Sequence, residues 1–354
     1  MAHKRSPVRF LPLGAIIQEF KIGDRNITLG FPRQTDYETV AHPYFGETIG
    51  RIPNRVSNGV IKNLNGRDYS LVQNERGITT LHGGVKGWGK CIWDGPKQVL
   101  RDGRDVLEFT LKSPDGDEGF PGEVEARIWY HIDHKIQGHK GCPGVEEVTL
   151  NVEYEVEMVG REQDIHETVC SLTNHAYWNI GPSPSIEGTG ISFATNRQLE
   201  ANSNYQIPTG RIIPSLDVIP DQRSTSFSSL GPSIDECFVL DENPSSIPLD
   251  TRGRQLRRCV SAYCPETRIH LEVTTTEPSF QFYSGDGINV PAIPDRGDGH
   301  GAVAARGPRS GFAVEPNRYV NAVNQPGWRN MVLLKRGQVW GCKNRYRAWC
   351  DAQV

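Results

Sequence analysis

Val148-Thr149-Leu150-Asn151-Val152-Glu153-Tyr154-Glu155-Val156 is the stretch that decides the fold class. Val148, Leu150, Val152, Tyr154 and Val156 point one way along an extended chain, and Thr149, Asn151, Glu153 and Glu155 point the other. A period of two is the mark of a β-strand with one buried face. Working outward, Val124, Ala126, Ile128, Tyr130 and Ile132 repeat it, as do Leu107-Phe109-Leu111 and Ile269-Leu271-Val273.

Turn-forming pairs such as Asn65-Gly66, Asp115-Gly116 and Pro121-Gly122 separate these runs. With 37 glycines and 24 prolines, and no long amphipathic helix in view, the chain favours short strands and turns. The expected architecture is all-β, with strands in layered antiparallel sheets. No linker-like shift of composition divides the chain, so residues 1–354 are expected to form one large domain. Two segments without apolar period, 135–144 (KIQGHKGCPG) and 295–310, are expected to be inserted, mobile surface loops.

Charge narrows the range of partners. The 39 Lys plus Arg and 42 Asp plus Glu leave a net charge of -3, with no basic block or acidic tail. That excludes nucleic acid and an anionic membrane as expected partners. The apolar run Phe10–Ile17 is broken by Pro12 and Gly14, so it does not read as a secretion signal, and no stretch is long enough to span a bilayer. The eight cysteines form no CxxC pair and are expected to be reduced, in keeping with a cytoplasmic protein. The sequon at Asn26 carries little weight without an export signal.

Four clusters place ionisable residues beside glycine, asparagine or aromatics: Gly50–Arg55, Leu81–Gly84 with Trp88 and Trp93, Thr173–Asn179, and Gly311–Asn317. Asp235 and Gln281 are weaker additions. Each cluster has an ordinary structural explanation. Asn54-Arg55 could be a surface turn, His82 a turn residue before two glycines, His175 a satisfied buried histidine, and the tryptophans core. Glu315 is harder to dismiss, because carboxylates are seldom placed in an apolar strand without a partner or a task. From the residues alone, the reading stops at a polar pocket in a β protein.

Taken in series, the clusters resemble the aldose 1-epimerase (galactose mutarotase) family over nearly the whole chain. The resemblance runs from Leu13-Gly14-Ala15-Ile16-Ile17 through Pro43–Arg51 and Asn54-Arg55 to the LHGG of 81–84. It continues with Gly119-Phe120-Pro121-Gly122, the NHAYWN of 174–179, Asp235 with Phe238, Gln281–Gly285, Glu315-Pro316 and Asn324. It implies a large antiparallel β-sandwich with an open cleft for a monosaccharide, and an isomerase that interconverts α and β anomers without a cofactor or metal. By resemblance Glu315 is the general base and His175 the general acid. Asn54, Arg55, His82, Asp235 and Gln281 hold the sugar, with Trp178 a candidate stacking platform. The protein is expected to act as a monomer or weak dimer. Pro53, Glu236 and Asn317 depart from the family pattern and leave the preferred aldose open.

Three other readings compete. A sugar-phosphate epimerase would need a basic pocket, for which Arg51 and Arg55 are thin candidates. A metal site could draw on His82, His175, Asp235 and Glu315, although short-range ligand spacing is absent. A carbohydrate-binding protein that lost catalysis would have no need of both Glu315 and His175.

Overall fold

The computed structural model describes residues 6–137, 145–161, 165–202, 206–218, 225–227 and 231–351. Two antiparallel sheets face each other. The larger has nine strands, and Val145–Met158 lies inside it, flanked by Val124–Gln137 on one edge and Val339–Cys350 on the other. Along Val145–Met158, buried and half-buried residues alternate from Leu150 to Met158, as the sequence predicts. Val148, Leu150, Val152, Tyr154 and Val156 enter the inter-sheet core. Glu153 and Glu155 turn outward into ion pairs with Arg101, Arg127 and Arg252.

The smaller sheet has six strands, in the order Tyr177–Trp178, Phe312–Asn317, Ser279–Tyr283, Asp235–Val239, Arg197–Ala201 and Pro208–Pro214. Alternation assigns its two faces. Phe238, Phe280, Phe282, Phe312, Val314 and Trp178 fill the inter-sheet core. Leu199, Cys237 and Val239 join one outer cluster, and Tyr177 and Ala313 join another. The outer face of this sheet is therefore covered from two sides, and Asp235, Gln281 and Glu315 emerge in the gap between the coverings. Apolar burial of this extent is the main term holding the sandwich together.

One expectation needs correcting. Lys135, Ile136 and Gln137 end a strand paired with Val145–Glu147 rather than begin a loop, while 138–144 lie outside the described residues. The 295–310 segment is a surface loop, joined to the rest of the chain through the bridges Val290–Arg306 and Ile293–Val303 and the ion pairs of Arg296 with Asp36 (3.0 Å) and Asp298 with Arg33. Among the described residues, the only α-helix is Gln34–Thr39, and no helix is long and apolar enough to cross a membrane.

Candidate active site

The site is assembled from strand ends and tight turns. Thr173–Asn174 pairs with Thr48–Ile49, and Asn174 then shapes the bend that presents His175. Its amide donates to the Gly46 carbonyl (2.8 Å), and its side-chain oxygen accepts from the Ala176 N–H (2.9 Å). Asn54 and His82 lock each other. The Asn54 N–H donates to His82 Nδ1 (3.2 Å), and the His82 N–H donates to the Asn54 carbonyl (3.0 Å). Both sit in the left-handed region, at φ 57° and 53°, as does Tyr44 at 60°. Such backbone strain persists only where the surroundings enforce it. In the LHGG turn, a Cβ at Gly83 would overlap the Gly50 carbonyl, so glycine is required there.

These elements enclose a cavity of about 190 Å³ lined by Asn54, Arg55, His82, His175, Asp235, Gln281 and Glu315. All seven residues expected from the sequence are thus brought to one place. Gln281 and Glu315 are directly paired across adjacent strands. His175 Nε2 lies 3.4 Å from Glu315 Oε1. Gln281 Nε2 donates to Asp235 Oδ1 (2.6 Å), and Gln206 Nε2 donates to Asp235 Oδ2 (3.1 Å). Arg55 grips Glu75 with two hydrogen bonds of 2.9 Å each.

Electrostatics follow from burial. Desolvation raises the Glu315 pKa well above the usual carboxyl value; nearby Asp235 adds to this and Arg55 opposes it. Burial lowers His175 to about 4, and His82 also falls well below the ordinary imidazole value. The 3.4 Å contact is counted as an ion pair, yet both shifts favour neutral partners. Transfer from water penalises both charges, so burial favours a neutral pair, with a proton on the carboxyl, over an ion pair. Glu315 Oε2 and His175 Nδ1 are buried without a hydrogen-bond partner, which leaves them available to a ligand.

Three tyrosines inside the quoted motifs have no role in the sequence reading. Tyr44, Tyr177 and Tyr283 line the cavity, and Tyr44 and Tyr177 flank the His175 ring at 5.7 and 4.9 Å between centroids. Trp178 is not a platform for the ligand. It is fully buried in the inter-sheet core, edge-on to Phe20 and beside Tyr346, whereas its neighbour Tyr177 faces the cavity. Arg51 is equally unavailable. It is buried and donates to the carbonyls of Pro121 (3.0 Å) and Gly122 (2.9 Å). Arg55 lines the cavity while its Nε and Nη2 donate to Glu75, so of the two candidates for the basic pocket of the sugar-phosphate reading only Arg55 is placed to meet a ligand. Neither Pro53 nor Asn317 lines the cavity, and Glu236 lines an adjoining one.

A metal could draw on three of the four residues proposed for it. One ligand atom each from His82, His175 and Glu315 lies within 4.8 Å of the others, while Asp235 is not part of that group.

Comparison with known proteins gives a single family. The aldose 1-epimerase profile matches residues 1–139 and 145–347. The chain is 38% identical over 337 residues to the bifunctional protein GAL10 of Pachysolen tannophilus, covering 94% of this chain and 44% of that protein. It therefore spans less than half the length of that relative. It is 33% identical over 339 residues to a galactose mutarotase of Sus scrofa, covering 94% of this chain and 87% of the relative. Among solved structures, a GalM/aldose epimerase homologue from C. elegans superposes with TM-score 0.73 at 19% identity, covering 96% of this chain and 94% of that one. A galactose 1-epimerase from Lactobacillus acidophilus gives TM-score 0.70 at 18% identity, covering 99% and 93%. These two likenesses establish the fold.

Proposed function

Because this chain belongs to the aldose 1-epimerase family, we propose that it interconverts the α and β anomers of a free aldose such as galactose or glucose. The observation that carries this reading is the buried His175–Glu315 pair at 3.4 Å, facing a cavity whose other polar groups suit hydroxyls. Glu315 takes the proton of the C1 hydroxyl while His175 gives one to the ring oxygen. The C1–O5 bond breaks, C1 becomes an aldehyde carbon, and rotation about C1–C2 exposes its other face. On reclosure the O5 hydroxyl returns its proton to His175, and Glu315 returns its proton to O1. No net proton, electron or group is transferred, so the reaction needs no cofactor.

One proton must be present on the pair, and burial, which raises Glu315 and lowers His175, favours that state over both the doubly protonated and the proton-free pair. A sugar hydroxyl donating to Glu315 stabilises its carboxylate and draws the proton to His175, the arrangement needed for ring opening. Asp235, its oxygens already oriented by Gln281 and Gln206, accepts further hydroxyls. Arg55, fixed by Glu75, and His82 donate to the sugar. The protein acts as a monomer or weak dimer. A cytoplasmic setting fits its buried free thiols, Cys170, Cys237, Cys259, Cys264 and Cys342.

Polarimetry tests the reading. Purified protein should speed the approach of α-galactose or α-glucose to anomeric equilibrium, equally well after chelation, and turn over a free hexose far better than its 6-phosphate. Loss of activity on chelation with rescue by a divalent metal would move the chemistry to the His82–His175–Glu315 cluster as ligands. A preference for the phosphate would restore the sugar-phosphate epimerase reading.

A further inference from the structure

A carboxylate that the proposed chemistry does not use lies one layer behind His175. Glu47 is fully buried, and its Oε1 accepts from the ammonium of Lys90, whose side chain is 30% exposed. His42 Nε2 stands 3.5 Å from the same oxygen and 3.0 Å from Lys90 Nζ. Glu47 Oε2 has no hydrogen-bond partner and packs against Gly89, where a Cβ would overlap it. Burial pushes the Glu47 carboxyl up to about 7, and Lys90 opposes the rise. Stability alone accounts poorly for a desolvated ion pair, since apolar side chains of the same volume often do as well or better.

The backbone around the pair supplies a better account. Glu47 closes a turn with Tyr44, its N–H donating to the Tyr44 carbonyl (3.1 Å). That turn holds residue 175 from both sides. The Gly46 N–H donates to the His175 carbonyl (3.1 Å), and the His175 N–H donates to the Glu47 carbonyl (2.9 Å). The Tyr44 ring, which opens the turn, packs against His82 at 4.6 Å between centroids and against His175 at 5.7 Å. Lys90 Nζ lies 5.9 Å from the centre of the same ring. A shift of the turn therefore moves the His175 imidazole relative to Glu315. Those two side chains are 3.4 Å apart, at the outer limit of hydrogen-bond reach. A misplacement of about 1 Å in such a pair can cost on the order of a hundredfold in rate.

We infer that Glu47 and Lys90 are positioning residues for His175: their ion pair pins the Tyr44–Glu47 turn that holds the His175 backbone and packs on its ring. Neither residue lines the cavity, so both act through His175 and not on the sugar. This rests on the anomer-interconverting reading and adds two residues to its machinery.

The test is mutarotation kinetics beside thermal unfolding for Glu47→Met, Lys90→Met, the double variant and Glu47→Gln. The two single changes to methionine keep most of the bulk and remove one charge each. Each should lower kcat by about tenfold, within the range a small misplacement can cost, while KM moves by less than about twofold. The double variant should fall no further than either alone, because the same contact is lost in all three. Glu47→Gln, whose amide oxygen can still accept from Lys90, should keep more activity than Glu47→Met. Should Glu47→Met fail to fold, Lys90→Met decides, since that side chain reaches solvent and Glu47 can take up a proton in its absence. The inference is overturned if either folded methionine variant keeps kcat within about twofold of the parent, or if KM rises as much as kcat falls. It is overturned equally if Glu47→Gln retains no more than Glu47→Met. A parent that speeds no sugar overturns the anomer-interconverting reading itself, and this inference with it.

Discussion

The strands Val145–Met158 and Phe312–Asn317 solve the same packing problem in different surroundings. Both send every second side chain into the inter-sheet core. The first turns its remaining residues to a half-exposed outer face, where carboxylates such as Glu153 and Glu155 remain solvated and paired with arginines. The second is buried at all six positions, and its other face carries Glu315. A glutamate on the outer strand costs the fold little. One on the inner strand is desolvated, pushed towards its protonated form and left with an unpartnered oxygen. Such a group opposes stability, so its presence is better explained by chemistry than by folding.

The largest expected effect falls on the inner strand. Glu315→Gln keeps the size of the side chain and removes the proton acceptor, so kcat should fall by roughly 10²–10⁴, about 3–5 kcal/mol of barrier. His175→Asn should match it, and the double variant should lose little more than either alone, as groups acting as a unit do. Mutarotation kinetics of the three proteins provide the check. A near-parental kcat in folded Glu315→Gln would place the base elsewhere. On the other strand, Leu150→Ala should cost about 2–5 kcal/mol of stability by opening a cavity in the core. Denaturant unfolding measures that loss, and kcat near the parental value in the folded protein shows that the two strands do different work.

The pH dependence probes the inner strand more finely. The pair is competent while it holds one proton, a window bounded below by the His175 value of about 4 and above by the raised Glu315 value. The acid limb of kcat/KM should therefore lie well below the ordinary imidazole pKa near 6.5. A limb at 6.5 would mean that His175 is solvated in the working enzyme. Asp235→Asn has a smaller role, with KM rising roughly tenfold and kcat moving little, since its contacts serve ground and transition states alike.

How much of this the sequence held depends on the strand. Period two was plain from Val148 to Val156 because one face meets water and contrast survives. Tyr177–Trp178 is only two residues long, too short for a period, so the choice of Trp178 as platform fell on the wrong face; a one-residue shift exchanges core and cavity. The members of the polar cluster were identified through serial resemblance of their motifs, which brought in His175 and Glu315 with their neighbours. Gln206 carries no motif, and its contact with Asp235 exists only because a hairpin folds back over the site. The Arg55–Glu75 grip joins residues twenty positions apart across the hairpin Val60–Leu64 and Arg67–Ser70 that lies between them. Such contacts are set by tertiary placement, and local pattern cannot report them.

The smallest effect comes from making the same change on the outer strand. Glu155→Gln weakens contacts with Arg127 (3.1 Å) and Arg252, in a network where Glu153 and Glu157 offer both arginines other carboxylates. The loss should be about 0–1 kcal/mol, shrink as salt is added, and leave kcat unchanged. Glu315→Gln should move stability in the opposite direction. A carboxyl whose folded pKa is raised adds stability below its unfolded value, and that contribution is lost as pH rises through the folded value. The parent therefore bears a penalty at high pH that the amide variant escapes. The gap in Tm between Glu315→Gln and parent should widen in favour of the variant as pH is raised above neutrality, and narrow towards pH 4. Thermal unfolding of both amide variants across that range is the measurement. A destabilised Glu315→Gln at high pH would mean that the carboxylate is solvated or paired in the native protein, and the contrast between the two strands would fail.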